Sequence, residues 1–579
     1  MWRTLIKSIR EYKKPTILAP VFVALEVIIE CTIPFITALL VNQIKAGCTY
    51  DVVLRYGLIL IVLASMSLTL GWLSGRAAAT AASGFARNLR KDLFYNIQSF
   101  SFENIDRFSS SSLVTRLTTD VTNVQNAFMM LIRIAVRSPL MLVFAIIMSF
   151  LMGGKLALIF VVVIPMLGIG LFFIIRAAFP IFRRVFRKYD ALNRSIQENV
   201  QGIRVVKSFV REDYEKQKFG VAAEELRQEF TKAEKILAFN GPMMQFCLYI
   251  NMVFILTFGA YTIATTGGLN FNVGQLSSLM IYSFQTLMSL MMLSMVFVMV
   301  TIADESSRRI VEVLSEDSSL QSPENAVQDV PDGSVDFDHV SFRYSEKAER
   351  MALLDVDLHI RSGETIGILG TTGSSKTSLV QLIPRLYDAT SGTVRVGGRD
   401  VKEYDLTALR NQVSVVLQNN LLFSGTIAEN LRWGNPQATD EELKQACEFA
   451  QADDFICSFP QGYETRIEQG GTNVSGGQKQ RLSIARALLK KPRILILDDS
   501  TSAVDTHTDA KIRAALKSYL PETTKIIIAQ RVASVMDADR IVMLDKGGIS
   551  SVGTHEELLK TDAAYREVYE SQSKAGEQE

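Results

Sequence analysis

The sequence predicts two domains of different kinds in one chain, a membrane domain built of helices and a soluble α/β domain. Its 579 residues exceed what one hydrophobic core usually organises. The composition joins 48% hydrophobic residues with 21% charged residues, which is too much charge for a chain lying wholly within a membrane. Long apolar runs occur only before about residue 309, whereas short strand-like runs alternate with helical patterns after residue 331.

Composition also limits the kinds of partner. The formal net charge is +1, so basic and acidic residues balance and no nucleic-acid-binding surface is predicted. The five cysteines are scattered without a Cys-x-x-Cys pair, which predicts neither a disulfide framework nor a zinc site. These features favour a reducing compartment and partners other than nucleic acid.

Residues 1–15 are predicted to form a helix that lies on the membrane surface as an elbow. Basic residues surround an apolar face, as is typical of interfacial helices. The apolar run that follows is long enough to span a membrane and lacks a small-residue cleavage site, which disfavours a signal peptide. The apolar face consists of Trp2, Leu5, Ile6, Ile9 and Tyr12.

A membrane domain is predicted over residues 16–309. A span needs about 20 apolar residues to cross a hydrocarbon core of roughly 30 Å. Six runs meet this requirement: about 16–41, 53–73, 134–152, 156–175, 239–264 and 273–302.

The gaps between these runs predict the topology. Two gaps are about 60 residues long and rich in Lys and Arg, and the others are short. By the positive-inside rule, the N-terminus, both long gaps and everything after the sixth span lie in the cytosol. The long gaps would form two helical hairpins with turns near 108–119 and 201–210, which either transmit motion to a cytosolic domain or only cap the bundle.

Two acidic residues, Glu26 and Glu30, lie one helical turn apart near the middle of the first span. Ionised carboxylates are costly in a bilayer unless they face water or a cationic partner. They are candidates for attracting a cationic substrate. The alternatives are a structural pair with Arg133 or Arg137, or a hydrated cavity without specificity.

The sixth span is rich in methionine, whose flexible side chains suit promiscuous binding surfaces. Met288, Met292 and Met295 are therefore further candidates for a substrate cavity. Ordinary packing against lipid or protein explains them equally well.

A polar stretch over 310–330 is typical of a linker, and a soluble domain is predicted over 331–570, followed by a polar tail over 571–579. The strand ETIGILG leads into a Gly-rich turn and a helix that begins near Lys376. In such a phosphate loop, backbone amides cradle phosphates, Lys376 neutralises their oxygens and Thr377 holds Mg²⁺. The pattern GxxxxGK[ST] asks for glycine where Ser375 stands. The predicted cradle consists of Gly370, Thr371, Thr372, Gly373, Ser374, Ser375, Lys376, Thr377 and Ser378.

Other candidates follow apolar strands of the same domain. Gln418 comes after SVVL, where its amide could reach a metal or an attacking water. Asp498 and Asp499 end the strand RILIL; Asp498 is placed to hold Mg²⁺ and Asp499 stands where a general base would sit. Gln530 follows the strand KIIIA.

A second predicted anion site lies at the start of the helix KQRLSIARALLKK. The residues that open this helix are Ser475, Gly476, Gly477 and Gln478. Free amides and the helix dipole favour negative charge at such an end.

Taken in this order, the motifs resemble those of a half-size ATP-binding cassette (ABC) exporter, with six spans followed by one nucleotide-binding domain. The resemblance implies a helical transmembrane domain fused to an α/β P-loop NTPase, with ATP and Mg²⁺ as cofactors. It assigns Tyr344 to adenine stacking, the segment VSGGQ ending at Gln478 to the signature, and Asp505 to the D-loop. It also implies that the two hairpin turns are coupling helices.

The resemblance further implies a multi-pass protein of the bacterial plasma membrane, with the N-terminus and the nucleotide-binding domain in the cytosol. Its substrates would be hydrophobic or amphipathic compounds leaving the cytosol. In this family two cassettes sandwich two ATP molecules, each between the Walker motifs of one domain and the signature of the other.

Three positions depart from the family pattern: Asp499 replaces the catalytic Glu, Gln530 replaces the switch His, and Ser375 replaces a Gly of the phosphate loop. The signature is unaltered. This pattern resembles the noncatalytic subunit of heterodimeric multidrug exporters. The expected partner is a second half-transporter with the Walker B Glu, the switch His and an altered signature.

Three alternatives remain open at this point. The chain could export a lipid or a peptide. It could form a homodimer with two Asp499/Gln530 sites. It could be a nontransporting regulator that senses nucleotide, although six spans and two coupling turns disfavour this.

Overall fold

The computed structural model describes residues 2–345 and 348–576. Its contacts divide the chain into two compact units: a helical unit, Met1–Gln98 with Ser110–Glu316, and an α/β unit, Ser99–Ser109 with Asp317–Glu579. Residues 577–579 of the predicted polar tail lie outside the described residues. The remainder of that tail belongs to a C-terminal helix that ends at Gly576.

The helical unit, together with the short segment inserted in it, contains the first eleven α-helices. They are α1 (Trp2–Ile6), α2 (Lys13–Lys45), α3 (Tyr50–Ser99), α4 (Phe102–Phe108), α5 (Ser110–Thr115), α6 (Val121–Gly153), α7 (Ile159–Gln201), α8 (Ile203–Ser208), α9 (Glu212–Leu237), α10 (Asn240–Thr266) and α11 (Val273–Leu314). A π-helical turn, Arg116–Asp120, precedes α6, and a 3-10 turn, Gly154–Leu158, precedes α7.

Five continuous helical segments among the described residues are long and apolar enough to cross a membrane. The longest, Ser110–Phe182, contains the third and fourth predicted spans. A helix satisfies every backbone polar group within such apolar runs. The six predicted runs accordingly fall on α2, α3, α6, α7, α10 and α11.

Helices α2, α6 and α11 pack together, and α7 packs on α9 and α10. The buried Tyr282 hydroxyl of α11 donates to the Cys31 carbonyl of α2 at 2.7 Å. Below the apolar region, the fully buried Asp120 accepts hydrogen bonds from Ser306 at 2.9 Å and Arg309 at 2.6 Å. These contacts join the start of α6 to the end of α11.

The apolar face predicts one continuous helix for the N-terminal elbow, but the structure has two helical pieces there. α1 gives way to a 3-10 helix over Lys7–Tyr12, in which Arg10 has a φ of 41°. Leu5 and Ile9 are buried, whereas Trp2 and Ile6 remain exposed. The break at Arg10 separates the predicted face into two parts, because a positive φ cannot continue a right-handed helix.

The prediction of the first turn near 108–119 is wrong, because the chain reverses earlier than this. The reversal begins after α3 ends at Ser99, and the short helix α4 occupies Phe102–Phe108. The physical reason is a capping box, in which Ser101 accepts from the Asn104 amide and the Asn104 side chain accepts from the Ser101 amide. The second short helix, α8, lies within the predicted turn at 201–210.

The described residues of the α/β unit form twelve strands. They are β1 (Val335–Phe342), β2 (Leu353–Ile360), β3 (Thr365–Gly370), β4 (Ser391–Val396), β5 (Arg399–Asp400), β6 (Val413–Val416), β7 (Gly425–Thr426), β8 (Arg466–Ile467), β9 (Ile494–Asp498), β10 (Thr524–Ile528), β11 (Arg540–Asp545) and β12 (Gly548–Gly553). The main sheet has the order β12-β11-β3-β10-β9-β6, and a second, antiparallel sheet has the order β2-β1-β4-β5.

Besides α4, the described part of this unit contains nine α-helices. They are α12 (Lys376–Gln381), α13 (Leu406–Gln412), α14 (Ile427–Leu431), α15 (Asp440–Phe449), α16 (Asp453–Ser458), α17 (Gly476–Leu489), α18 (Thr506–Tyr519), α19 (His555–Thr561) and α20 (Ala563–Gly576).

The main sheet separates two hydrophobic cores. Alternate residues of β9 face opposite sides, so Leu495 and Leu497 join the helical core while Ile494 and Ile496 face the core shared with the second sheet. Because β3, β10, β9 and β6 are parallel, their carboxyl ends meet at one edge. That edge positions the candidate site.

Candidate nucleotide-binding site

The phosphate loop connects β3 to α12 and depends on its glycines. A Cβ on Gly370 would lie 2.3 Å from the Leu544 carbonyl oxygen, and Gly373 has a φ of 84°. Ser375 has a φ of 71° and a ψ of 26°, which is the left-handed conformation that glycine adopts without strain. A side chain there costs about 1–2 kcal/mol. The departure from the motif therefore keeps the loop geometry but carries strain.

The Lys376 ammonium is held inside this loop. Its Nζ donates to the Gly370 carbonyl at 2.8 Å and to the Thr371 carbonyl at 2.9 Å. Burial lowers the pKa of Lys376, and the nearby Asp498 and Asp499 act in the opposite direction. A lysine fixed in this way presents its charge to whatever anion the loop amides bind.

Oxygen donors suitable for Mg²⁺ lie at the end of β9. The Thr377 hydroxyl donates to Asp498 Oδ2 at 2.8 Å, and Asp498 is 3% exposed. Burial raises the pKa of Asp498, while the hydrogen bond from Thr377 lowers it. A hydroxyl, a carboxylate and the Gln418 amide oxygen are hard oxygen ligands of the kind that Mg²⁺ accepts. The donor set fits the metal.

The other two predicted catalytic residues, Gln418 and Gln530, both contact Asp499. Gln530 Nε2 donates to Asp499 Oδ2 at 2.9 Å, and Gln418 Nε2 donates to the same oxygen at 3.3 Å. The backbone of Asp499 has a φ of 47°, and its amide donates to the Ile528 carbonyl at 3.0 Å. Both amide side chains thus bind the carboxylate that stands at the general-base position.

Tyr344 lies on a cluster of aromatic rings. Its centroid is 4.8 Å from that of Phe342 and 5.2 Å from that of Tyr387. Its hydroxyl is 2.8 Å from the Ser378 hydroxyl, and Tyr344 is 44% exposed. The ring is supported from one side and open to solvent, as a platform for a base requires.

Tyr387 connects this aromatic cluster to α4. Its hydroxyl donates to Asp106 Oδ2 at 2.7 Å, and its ring lies 6.1 Å from that of Phe102. Burial and the hydrogen bond to Asp106 raise the pKa of Tyr387. Sequence reasoning missed Tyr387, because it belongs to no motif and its role depends on a contact across more than 280 positions.

The predicted signature opens α17 with a complete capping box. Ser475 accepts from the Gln478 amide at 3.3 Å, and the Gln478 side chain accepts from the Ser475 amide at 2.9 Å. Ser475 and Gly476 are exposed. The first turn of α17 thus ends in solvent, with free amides available to an anion.

This helix start is coupled to the predicted D-loop. The Gln480 side chain accepts from the Ala503 amide at 3.0 Å and donates to Ser502 at 3.2 Å. A Cβ on Gly477 would lie 2.8 Å from the Ala503 carbonyl oxygen, which explains the need for glycine. Asp505 caps α18 by accepting from the Thr508 amide at 2.9 Å.

The structure therefore arranges the predicted residues in two groups. The first group lies at the sheet edge and comprises the phosphate loop, Gln418, Asp498, Asp499 and Gln530. The second lies at the start of α17. No hydrogen bond between described residues connects Ser475 to the phosphate loop.

The acidic residues predicted to attract a cationic substrate already bind an arginine of the same chain. Arg137 of α6 donates to Glu26 and to Glu30, with both distances 2.6 Å. The structural pair left open above is thus present, with Arg137 rather than Arg133. Met288 and Met292 are half-buried and Met295 is 54% exposed.

A phosphate loop, an Asp-Asp pair after β9 and a capped Ser-Gly-Gly helix start, joined to long apolar helices, define an ATP-binding half of a membrane transporter. Residues 16–299 match the family model of the ABC transporter transmembrane region, and residues 353–502 match the ABC transporter family model. The chain belongs to the ABC transporter family. These matches confirm the predicted fold class of membrane helices fused to an ABC nucleotide-binding domain.

Several relatives are similar over most of their length. The uncharacterized ABC transporter ATP-binding protein YfiB of Bacillus subtilis is 39% identical, over 89% of each chain. The uncharacterized ABC transporter ATP-binding protein Rv1273c of Mycobacterium tuberculosis is 34% identical, over 98% of this chain and 97% of its own.

A putative multidrug export ATP-binding/permease protein of Staphylococcus aureus is 31% identical over 84% of each chain. A solved structure, that of a bacterial Atm1-family ABC exporter with ATP bound, has a TM-score of 0.84 and 24% identity. It covers 97% of this chain and 98% of its own, so the two chains share a fold.

Proposed function

We propose that this chain is one subunit of a heterodimeric ATP-driven exporter, and that its own ATP site binds nucleotide with little hydrolysis. The partner is a second half-transporter, whose Walker B Glu and switch His carry out the hydrolysis. The signature of this chain completes the partner's site. Both subunits lie in the plasma membrane, with the N-terminus and the cassette in the cytosol.

The observation that carries this proposal is the position of Asp499. Its side chain is one methylene shorter than glutamate, and its Oδ2 accepts from both Gln418 and Gln530. Catalytic geometry must hold within about 0.5 Å. A shortened carboxylate bound by two amides is poorly placed to take a proton from an attacking water.

Gln530 supports the same conclusion. A glutamine can donate to a γ-phosphate, but it cannot carry the positive charge or exchange the proton of an imidazole. The remaining groups favour retention of ATP. Lys376 supplies a charge, Tyr344 supplies a ring for the base, and Thr377, Asp498 and Gln418 would hold Mg²⁺, which would neutralise phosphate charge when bound.

Hydrophobic and amphipathic compounds are the proposed substrates. Similarity to the Staphylococcus aureus relative, which is named as a putative multidrug export protein, supports this class and the outward direction. The link from Tyr344 through Tyr387 to Asp106 on α4 supports a role for α4 as a coupling helix. We assign α8 the same role on the partner's cassette, because its Val205 is 60% exposed and the following Phe209 is 73% exposed.

The proposal is tested by measuring ATP hydrolysis with the purified chain alone and with the product of a neighbouring half-transporter gene. We expect low turnover from the chain alone and high turnover from the pair. High turnover by the chain alone that is abolished by Asp499→Asn would overturn the proposal in favour of a homodimer.

A further inference from the structure

A cavity of about 510 Å³ lies between α7 and α11 in the helical unit. Its volume is within the range of small-molecule sites, roughly 300–1,000 Å³. The walls are aromatic and aliphatic, with Leu171 and Phe172 from α7 and Leu293 and Phe297 from α11. Such a lining suits an apolar chain.

Arg176 is the one charged residue among the described residues that line this cavity. It follows directly after the fourth predicted span. Its guanidinium makes no hydrogen bond or ion pair with any residue that the structure describes. Arg176 is exposed at the end of the apolar run, and the planar fork of a guanidinium matches a carboxylate or a phosphate.

The two carboxylates of the first span share one cation within the chain. Glu26 and Glu30 both bind Arg137, and Gly71 of α3 makes room for this arrangement. A Cβ at Gly71 would lie 2.9 Å from Glu26 Oε1. Arg137 therefore offsets one of the two negative charges and occupies an oxygen of each carboxylate, which weakens the expected attraction for a cation, while the charge of Arg176 remains available.

The cavity is also distinct from the methionine-rich face. On α11 it is lined at positions 290, 293, 294, 297 and 301. Met288, Met292 and Met295 are displaced by about two residues from these positions, which is roughly 200° around a helix. The methionines thus point to another surface of α11.

We infer that this cavity takes an amphipathic anion, a molecule with one apolar chain and one carboxylate or phosphate group. The chain lies against the walls of the cavity and the anionic group binds Arg176. This substrate class rests on the proposed function as an exporter. A free carboxylic acid and an acidic lipid both have this chemistry, and binding of two different probes distinguishes them.

The test uses the purified two-subunit transporter in phosphatidylcholine nanodiscs. Dansyl-undecanoic acid is titrated against a dansyl-alkyl trimethylammonium of the same chain length, and a dansyl-labelled phosphatidic acid serves as the lipid arm. We expect an anion to bind at least about tenfold more tightly than the cation. Binding of the free acid or of the lipid identifies the source, and either supports the inference.

Four variants locate the effect. Arg176→Gln is expected to weaken anion binding about tenfold without changing cation binding, and Arg176→Lys to retain part of the preference. Leu293→Trp fills the cavity and weakens both probes. Arg133→Gln is the matched control, because Arg133 also lacks a partner among the described residues but does not line the cavity. Unchanged anion binding in Arg176→Gln, or an equal loss in Arg133→Gln, would overturn the inference.

Transport by the same preparation separates this inference from the proposed function. Proteoliposomes are supplied with ATP together with the anionic probe, the cationic probe or a neutral dye. If no probe moves with ATP, the exporter proposal fails, and with it the role of the cavity in transport. If the cation or the dye moves while the anions neither bind nor move, only the anion inference fails.

Discussion

The 33 residues from Asn473 to Asp505 contain two regions that differ in how well they keep the family pattern. At the start of α17, the capping box of Ser475 is complete and Gly477 packs closely on Ala503. At the end of β9, Asp499 has a positive φ and its carboxylate accepts from two glutamines. The first region presents free amides to an anion, whereas the second has Asp499 where the family resemblance predicts Glu.

Under the proposed function, the two regions serve different ATP molecules. A chain with substitutions in both regions would support hydrolysis at neither ATP site of the dimer. A chain that keeps the family residues in both regions would be expected to support hydrolysis at both ATP sites. The substitutions below alter one region at a time, so each can show whether the two are functionally separate.

The largest effect is expected from Gly477→Asp. The new Cβ would lie 2.8 Å from the Ala503 carbonyl oxygen, and a carboxylate would repel the partner's nucleotide at the start of α17. Displacements near 1 Å cost about 100-fold in rate, so ATP hydrolysis by the complex should fall by about that factor. Lys491→Ala, just beyond α17, is the control and should leave turnover near that of the wild type, because it removes only a surface ion pair.

Lys376→Ala changes the other region. It removes the charge that the loop presents to phosphate, an interaction worth about 2 kcal/mol, or roughly a 30-fold loss of ATP affinity at this chain's site. Retention of labelled ATP by the purified complex measures this effect. Retention equal to that of the wild type would show that this site does not hold nucleotide.

The double substitution Asp499→Glu with Gln530→His should restore hydrolysis at this chain's site. A positioned base contributes about 100-fold or more, and imperfect placement should leave an increase of about tenfold. The assay uses a complex in which the Walker B carboxylate of the partner has been removed. No increase would mean that these two residues do not limit turnover.

Ser375→Gly should have the smallest effect of this set. Glycine removes the strain of a side chain in the left-handed conformation, about 1 kcal/mol. If that strain opposes the nucleotide-bound loop, ATP should bind up to about fivefold more tightly, as measured by equilibrium titration. Weaker binding would instead indicate that the Ser375 hydroxyl contributes to nucleotide binding.

Much of this architecture could be predicted from sequence, because the determinants are local. Each apolar residue adds independently to the stability of a membrane helix, so hydropathy located the long helices. The phosphate loop was recognisable because the order of Gly, Lys and Thr directly encodes a turn followed by a helix. The positive φ of Ser375 agrees with the glycine that the motif expects there.

Features that depend on contacts between distant residues could not be predicted. The sequence offered Arg133 and Arg137 equally as partners for Glu26, and only the packing of α2 on α6 selects Arg137. The site of the first reversal depended on a cap by Ser101 and Asn104, which is a weaker sequence pattern than one with Glu. The joint binding of Asp499 by Gln418 and Gln530 arises only when three strand ends meet at one edge of the sheet.

Separation of the two ATP sites is tested most directly by Asp499→Asn in the purified two-subunit complex. Steady-state ATP hydrolysis is compared with that of a complex carrying the equivalent substitution at the partner's Walker B position. We expect Asp499→Asn to lower turnover by less than about twofold and the partner substitution to lower it by about 100-fold or more. An equal loss from both substitutions would contradict the assignment of this chain's ATP site as noncatalytic.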